Sequence, residues 1–416
     1  MTIIHSDAEF APGRFRERFR MPDAATGRDG IYFCGNSLGP QPIVAAEAVE
    51  AELERWGQMA VTGHFDGPMP WVPYHTLATD GLAKLTGAQP KEVVAMNALT
   101  INLHLMLTSF YRPTKTRGKI VMEQGAFPSD RHAIESQIRL HGLDPTSQLV
   151  EIAPREDRLH HEDDVEHYLE RHGDEVALVL WPGVQYATGQ AFDLARLARA
   201  AHRAETTLGV DLAHAIGNIE LNLHDDGIDF AVWCHYKYLN SGPGSVGGAY
   251  VHTRHHPFDG PRLAGWWGHE QASRFQMAPD HHPAPGVEGW QVSGPPILST
   301  APLIASLGLF EEAGLARLRQ ASLALTGRLA QGLAEGVGDE IDIITPREPH
   351  RHGAQLSFKA KRGRQAGRQL FERLVGHGVI GDWREPDIIR MAPAPLYNTF
   401  DEVDRFVALV DELIRA

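Results

Sequence analysis

Long apolar runs are missing from this chain. None of its 416 residues lies in a stretch of the ~18 consecutive apolar residues that a membrane-spanning helix needs. The opening MTIIHSDAEFAPGRFRERFR lacks the apolar centre of a secretory signal. Cysteine is scarce. Cys34 and Cys234 are the only two, far apart and without the spacing of a disulfide framework, so reduced buried thiols are expected. A basic excess is lacking as well: 39 Lys and Arg stand against 53 Asp and Glu, a formal net charge of −14. That balance argues against nucleic-acid binding, which needs clustered Lys and Arg. Repeats and low-complexity tracts do not stand out. What is present, 43% hydrophobic and 22% charged residues, fits a globular chain with a sizeable core. The expectation is a cytoplasmic enzyme that binds neither membrane nor nucleic acid.

The length leaves room for two or three domains, or for one large α/β domain with a smaller companion. The chain begins with a charged helical pattern and then the turn-rich Tyr32-Phe-Cys-Gly-Asn-Ser-Leu-Gly-Pro-Gln-Pro42. A helix follows, with Val44, Ala48, Ala51 and Leu53 toward one side and Glu47, Glu50, Glu52 and Glu54 toward another. Short apolar runs come next, at 92–96, 119–122, 148–152, 177–181, 207–211, 230–233 and 248–252. Helical patterns fit between most of them, as at 130–141, 162–172 and 193–205. Strands apolar on both faces and separated by helices predict an α/β fold, with a mainly parallel seven-stranded sheet covered on both sides. Residues 256–300, rich in Pro, Gly, His and Trp, read as long ordered loops. After Pro302 the pattern predicts a helix over 303–335, strands at 340–344 and 354–358, and helices at 364–377 and 399–414. The expected division is therefore a large cofactor-binding domain over 61–300 and a smaller α+β domain over 301–416. Residues 1–60 would pack with the small domain or with a partner subunit.

Two residues close neighbouring apolar runs: Asp211 ends Thr-Leu-Gly-Val-Asp, and Lys237 follows Phe230-Ala-Val-Trp-Cys-His-Tyr236. Ligands of parallel sheets sit beyond the carboxyl ends of their strands. An amine and a carboxylate placed there are what pyridoxal phosphate needs, the amine to bond its aldehyde and the carboxylate to keep its ring nitrogen protonated. A turn carboxylate and a solvated lysine are the plainer readings of each residue alone. Met96-Asn-Ala-Leu-Thr100-Ile-Asn-Leu-His104 places a strand end and a threonine before an apolar helix, which suits a phosphate as well as it suits a plain N-cap. His214, three residues after Asp211, could lie over the cofactor or be a core histidine. Gly242-Pro-Gly-Ser-Val-Gly247 matches a dinucleotide fingerprint by letter, but it precedes a strand where that motif requires a helix. It reads as a tight loop. The histidines around His160, His161 and His167 fall on a charged helical face, and no metal site is expected from them.

Together these residues resemble the kynureninase family of pyridoxal-phosphate enzymes, which have the aminotransferase-like, fold type I architecture. The resemblance runs from Phe33-Cys-Gly-Asn-Ser-Leu-Gly-Pro-Gln-Pro42 to Ile389-Arg-Met-Ala-Pro-Ala-Pro-Leu-Tyr-Asn398. Between them come Ala126-Phe-Pro-Ser-Asp130, Trp233-Cys-His-Tyr-Lys-Tyr-Leu-Asn240 and Gly265-Trp-Trp-Gly-His-Glu270. The resemblance implies hydrolysis of L-kynurenine to anthranilate and L-alanine in tryptophan catabolism, by a homodimer. It also assigns roles by motif. Leu99 and Thr100 would cradle the phosphate, Phe127 would stack on the ring, and Pro128, Ser129 and Asp130 would help fix the cofactor. Asp211 would pair with the ring nitrogen and Lys237 would carry the cofactor; Tyr236, by its place beside Lys237, is the candidate proton relay. His214, Tyr236 and Trp266 would line the pocket, with Gly294 beside them. Arg390 would bind the substrate's α-carboxylate, with Ser37 and His64 near the aromatic end.

At Gly294, in Gln291-Val-Ser-Gly294-Pro-Pro-Ile, some members have Asn, which is associated with substrates bearing a 3-hydroxyl. Glycine has no side-chain donor, so the resemblance implies a preference for kynurenine over 3-hydroxykynurenine. The rival readings are a class V aminotransferase, a desulfurase-like protein, or a non-catalytic relative. A desulfurase needs a reactive cysteine on a mobile loop, and neither Cys34 nor Cys234 is so placed.

Overall fold

The computed structural model describes residues 11–22 and 30–415. The charged pattern that opens the chain lies mostly outside the described residues. Phe19–Arg20 pairs antiparallel with Gln41–Pro42, which leads directly into helix α1 (Ile43–Met59). The helix does not divide as its pattern predicts. Glu52 is buried, and it accepts hydrogen bonds from Trp71 Nε1 at 2.8 Å and Tyr74 Oη at 2.9 Å, while Leu53 is exposed. Tertiary donors outweigh hydropathy here, because a carboxylate with strong partners can be buried.

The seven apolar runs form one sheet: β1 (Val93–Ala95), β2 (Lys119–Glu123), β3 (Leu149–Ile152), β4 (Val176–Pro182), β5 (Thr207–Asp211), β6 (Phe230–Cys234) and β7 (Gly247–Val251). Their order is β1-β7-β6-β5-β4-β2-β3. Neighbours from β6 to β3 are parallel, and β7 runs antiparallel to both β1 and β6. Helices α2 (Leu99–Phe110) and α3 (Pro128–Leu140) cover one face, where Leu103, Met106, Ile134 and Ile138 meet Ile120, Leu178 and Val232. Helices α4 (Glu162–His172) and α5 (Leu194–Arg203) cover the other, where Val165, Leu169 and Leu197 meet Val121, Val179 and Val210. Each buried aliphatic side chain contributes about 1.5–3 kcal/mol, so both faces drive the assembly. The carboxyl ends of β1, β2, β4, β5 and β6 therefore share one edge of the sheet. The glycine loop Gly242–Gly247 lies at that edge too, because β7 runs the other way. At Gly247 a Cβ would come within 3.1 Å of Leu99 N, so the lack of a side chain lets the backbone approach the start of α2.

The C-terminal part has its own core. The helix read over 303–335 is two helices, α6 (Ile297–Ala313) and α7 (Leu315–Val337), separated by Gly314 at φ 77°. Strands β8 (Ile341–Ile343), β9 (Leu356–Ala360), β10 (Asp382–Arg384) and β11 (Ile388–Met391) form an antiparallel sheet ordered β8-β9-β11-β10. Leu329, Leu333, Phe358, Leu374, Phe406 and Val410 pack between this sheet and the helices around it. Ile31–Tyr32 lies parallel to Val379–Ile380, and Phe33 joins the same core.

Candidate active site

Asp211 and Lys237 meet because β5 and β6 are parallel neighbours, with Asp211 opposite Val232. Asp211 closes its strand in a tight turn, where its Oδ1 accepts from Ala213 N at 2.6 Å. Lys237 sits in a loop held by Gly39, whose N–H donates to the Tyr236 carbonyl at 2.8 Å. A Cβ on Gly39 would stand 2.5 Å from the Lys237 carbonyl oxygen, so the glycine lets this segment lie against the lysine loop. The cavity above the strand ends is lined by Leu99, Thr100, Phe127, Ser129, Asp130, Asp211, His214, Tyr236 and Lys237. Glu123, Pro182, Val184, Ala213 and Tyr186 complete the lining.

The residues present fit pyridoxal phosphate. Helices α2 and α3 both start at this cavity, and their N-cap residues, Ala98 and Phe127, make no side-chain cap bond. Their first-turn N–H groups thus lack the usual side-chain acceptor, which suits an anion at a helix start. Thr100 Oγ1 and Ser129 Oγ lie 2.8 Å apart between these starts and offer two hydroxyls. Lys237 Nζ stands 6.0 Å from the Phe127 ring centroid and 5.9 Å from that of Tyr236. Two polar atoms at the cavity, His214 Nδ1 and Asp130 Oδ1, are buried without a hydrogen-bond partner among the described residues. Burial of that kind costs free energy unless a ligand satisfies it.

Electrostatics sort the ionisable groups. Burial, and then the neighbouring Asp211 carboxylate, raise the Asp130 carboxyl well above the usual range. Glu123 is raised for the same two reasons. Burial, followed by the cations Lys237, Arg390 and Arg384, drives His214 well below its ordinary value, so its ring is neutral. Burial also raises the Tyr236 phenol, which keeps its proton at neutral pH.

Arg390 is on β11, nearly fully buried, and donates to the Tyr186 carbonyl at 2.6 Å and to Asp382 Oδ2 at 2.5 Å. Its Nε is buried without a partner. Ser37 lies in the turn after Cys34, where its N–H donates to the Cys34 carbonyl at 2.9 Å. Pro128 is the first residue of α3. Ser37, His64, Pro128, Trp266, Gly294 and Arg390 are not among the residues that line the cavity. His64 packs edge-on against Trp71, and Trp266 against Phe275. Gly294 is exposed, and a Cβ there would touch the Trp267 ring at 3.4 Å. Sequence reasoning missed Glu123, Tyr186 and Asp382. Glu123 carried a readable signal, since it closes an apolar run as Asp211 does.

One further cluster, Glu92 with His224 and His252, has metal-ligand residue types but sits at the opposite edge of the sheet. Glu92 accepts from Gln89 N and Thr253 N and lies 2.9 Å from His224 Nδ1. His252 Nδ1 accepts from Arg254 N at 3.0 Å. These bonds give each of the three side chains a partner within the protein.

The family model for the kynureninase C-terminal domain matches residues 318–410. A kynureninase of Xanthomonas euvesicatoria pv. vesicatoria is 58% identical over 92% of this chain and 91% of its own. One from Xanthomonas oryzae pv. oryzae is 55% identical over 99% of this chain and 98% of its own. Among solved structures, the cysteine desulfurase of Thermococcus onnurineus superposes with a TM-score of 0.78 at 20% identity, covering 97% of this chain and 98% of that one. A C-DES variant with glycine covalently linked to its pyridoxal-phosphate cofactor superposes with a TM-score of 0.77 at 18% identity, covering 95% and 99%. At such identities these two structures establish the fold.

Proposed function

The chain belongs to the kynureninase family, and from that premise we propose that it hydrolyses L-kynurenine to anthranilate and L-alanine with pyridoxal 5′-phosphate. The observation that carries the reading is the cavity itself, where Asp211, closing one strand, and Lys237, in the loop after its parallel neighbour, meet beside two uncapped helix starts. When bound, pyridoxal phosphate supplies a covalent anchor for the substrate amine and an electron sink for the charge that develops next to it. Leu99, Thr100 and Ser129 would hold the phosphate, and the Asp211 carboxylate would keep the ring nitrogen protonated. Lys237 Nζ removes the proton from the substrate's α-carbon once its own amine is free. Arg390 presents its Nε edge to the α-carboxylate. Water adds to the γ-carbonyl, the Cβ–Cγ bond breaks, and the water's oxygen leaves in the anthranilate carboxylate. Tyr236, neutral and beside Lys237, holds the proton that the β-carbon takes up. An amine at Lys237 is indispensable to this scheme. Lys237→Ala is expected to lose both anthranilate fluorescence on addition of kynurenine and the visible absorbance of the holoenzyme; a coloured, active variant would refute the assignment.

The same premise supports a homodimer. Leu53, Trp56, Val61, Phe65, Phe275 and Met277 are exposed, with the Phe65 and Phe275 rings in contact at 5.3 Å. Exposed large apolar side chains that meet at the surface, as Phe65 and Phe275 do, are what an interaction face presents. His64 and Trp266 border it, and a second copy seated there would carry them toward its own cavity. Gly294 offers no donor to a 3-hydroxyl, so we infer that 3-hydroxykynurenine is the poorer substrate. Comparing kcat/KM for the two substrates checks this, and a clear preference for the hydroxylated one would overturn it. No helix among the described residues is long and apolar enough to cross a membrane, and a cytoplasmic site of action is our reading.

A further inference from the structure

Tyr186 is a cavity wall without a role in the scheme above. It lies in the loop after β4 and lines the cavity together with Lys237 and Asp211. Its ring meets Phe127 edge-on, with centroids 5.3 Å apart and planes at 80°. The Arg390 guanidinium stands 6.0 Å from the centre of the same ring and donates to the residue's own carbonyl at 2.6 Å. Tyr186 thus touches both the expected ring-stacking residue and the expected carboxylate clamp.

The loop that carries it is pinned from both domains. Val184 and Ala191 form an antiparallel bridge across its base. The Gln185 side-chain oxygen accepts from Ala187 N at 2.6 Å and Thr188 N at 3.0 Å. From the C-terminal sheet, Gln355 Nε2 donates to the Tyr186 carbonyl at 2.9 Å and Ser357 Oγ to the Ala187 carbonyl at 2.6 Å. Arg390 is fixed on its other side by Asp382 at 2.5 Å, while its buried Nε has no partner. Burial raises the Tyr186 phenol against the opposing pull of Arg384 and Arg390, so the hydroxyl stays neutral beside them.

An ionic clamp sets the distance of a carboxylate and leaves rotation about that contact open. A rigid ring beside the clamp removes the rotation and gives that end of the molecule a contact kept alike in the bound substrate and the transition state, so its loss falls on binding and KM more than on kcat. We propose that Tyr186 is a substrate-positioning residue, whose ring fills the space between Phe127 and Arg390 and holds the α-carboxylate end of an amino-acid substrate at one angle. This rests on the reading of the cavity as an amino-acid site.

The test uses the holoenzyme, Tyr186→Phe and Tyr186→Ala. Each is titrated with L-alanine, followed by its change in visible absorbance, and assayed with L-kynurenine. Tyr186→Phe is expected to match the parent in both. In Tyr186→Ala, L-alanine binding should weaken about tenfold and KM should rise in step, with kcat within about threefold of the parent. Parental L-alanine affinity in Tyr186→Ala overturns the proposal. Equal weakening in Tyr186→Phe overturns it as well, because the ring is then not the active part. A parent that leaves kynurenine intact, yet shows the same pattern with L-alanine, sinks the proposed reaction and sustains the role of Tyr186.

Discussion

Lys237 and Tyr236 are consecutive, yet their surroundings give them separate tasks. The lysine projects toward Phe127 at 6.0 Å, where a cofactor ring fits, and the tyrosine keeps its proton because burial raises its phenol. Tyr236→Phe is expected to retain cofactor and its visible absorbance while turnover falls about 10²-fold or more, the usual worth of a positioned proton donor. Wild-type rates in that variant would remove Tyr236 from the relay. The cysteines separate this site from the desulfurases that share its fold. Burial pushes the Cys34 thiol up to about 11 and raises Cys234 as well, so neither supplies a thiolate at neutral pH. Asp211 and Lys237 were legible in the sequence because a polar residue closing an apolar run stands out. Tyr186 was not, since its place depends on Arg390, which lies 204 positions along the chain.

The central strands were legible for a similar reason. Their apolar runs are buried on both faces, so pattern and structure coincide to within a residue or two at most ends. The β10–β11 hairpin was not legible. Asp382-Trp-Arg384 is half-buried and charged, and it is a strand because its partner is there. Glu52 escaped for a related reason, as its burial depends on Trp71 and Tyr74. The end of β6 yields a pH test. His235 is fully buried, with Nδ1 donating to the Val246 carbonyl at 2.6 Å and Nε2 accepting from Trp233 Nε1 at 2.7 Å, a pattern that only the neutral ring can satisfy. Burial lowers it from 6.5 to about 4. The unfolded state therefore binds the proton first as pH falls, and stability present above 6.5 is lost from there toward about 4. The slope is about 1.4 kcal/mol per pH unit. Between about pH 7 and pH 5 the parent should lose ~2 kcal/mol more unfolding free energy than His235→Gln. Parallel pH profiles for the two would contradict the neutral assignment.

At the scale of the molecule, the cavity is built at one edge of the large sheet, its wall residue Tyr186 is tied to the C-terminal sheet through Arg390, and Gly39 of the N-terminal segment lies against the lysine loop. His64, Trp266 and Gly294 stay outside it, and the proposed homodimer is the arrangement that would bring them to a cavity. Trp56 and Val61 are exposed, at 61% and 70%, so replacing both with Glu should leave the fold intact. Sedimentation is expected to show two chains for the parent and one for the variant. A monomeric parent would remove the shared-site reading. The most direct measurement of the whole account is turnover of L-kynurenine in heavy-oxygen water, with both products weighed by mass spectrometry. The expected result is one L-alanine per anthranilate, with the heavy oxygen in the anthranilate carboxylate and none in alanine, and no reaction in Lys237→Ala. Unlabelled anthranilate, or conversion of kynurenine that requires pyruvate and releases no alanine, would contradict it.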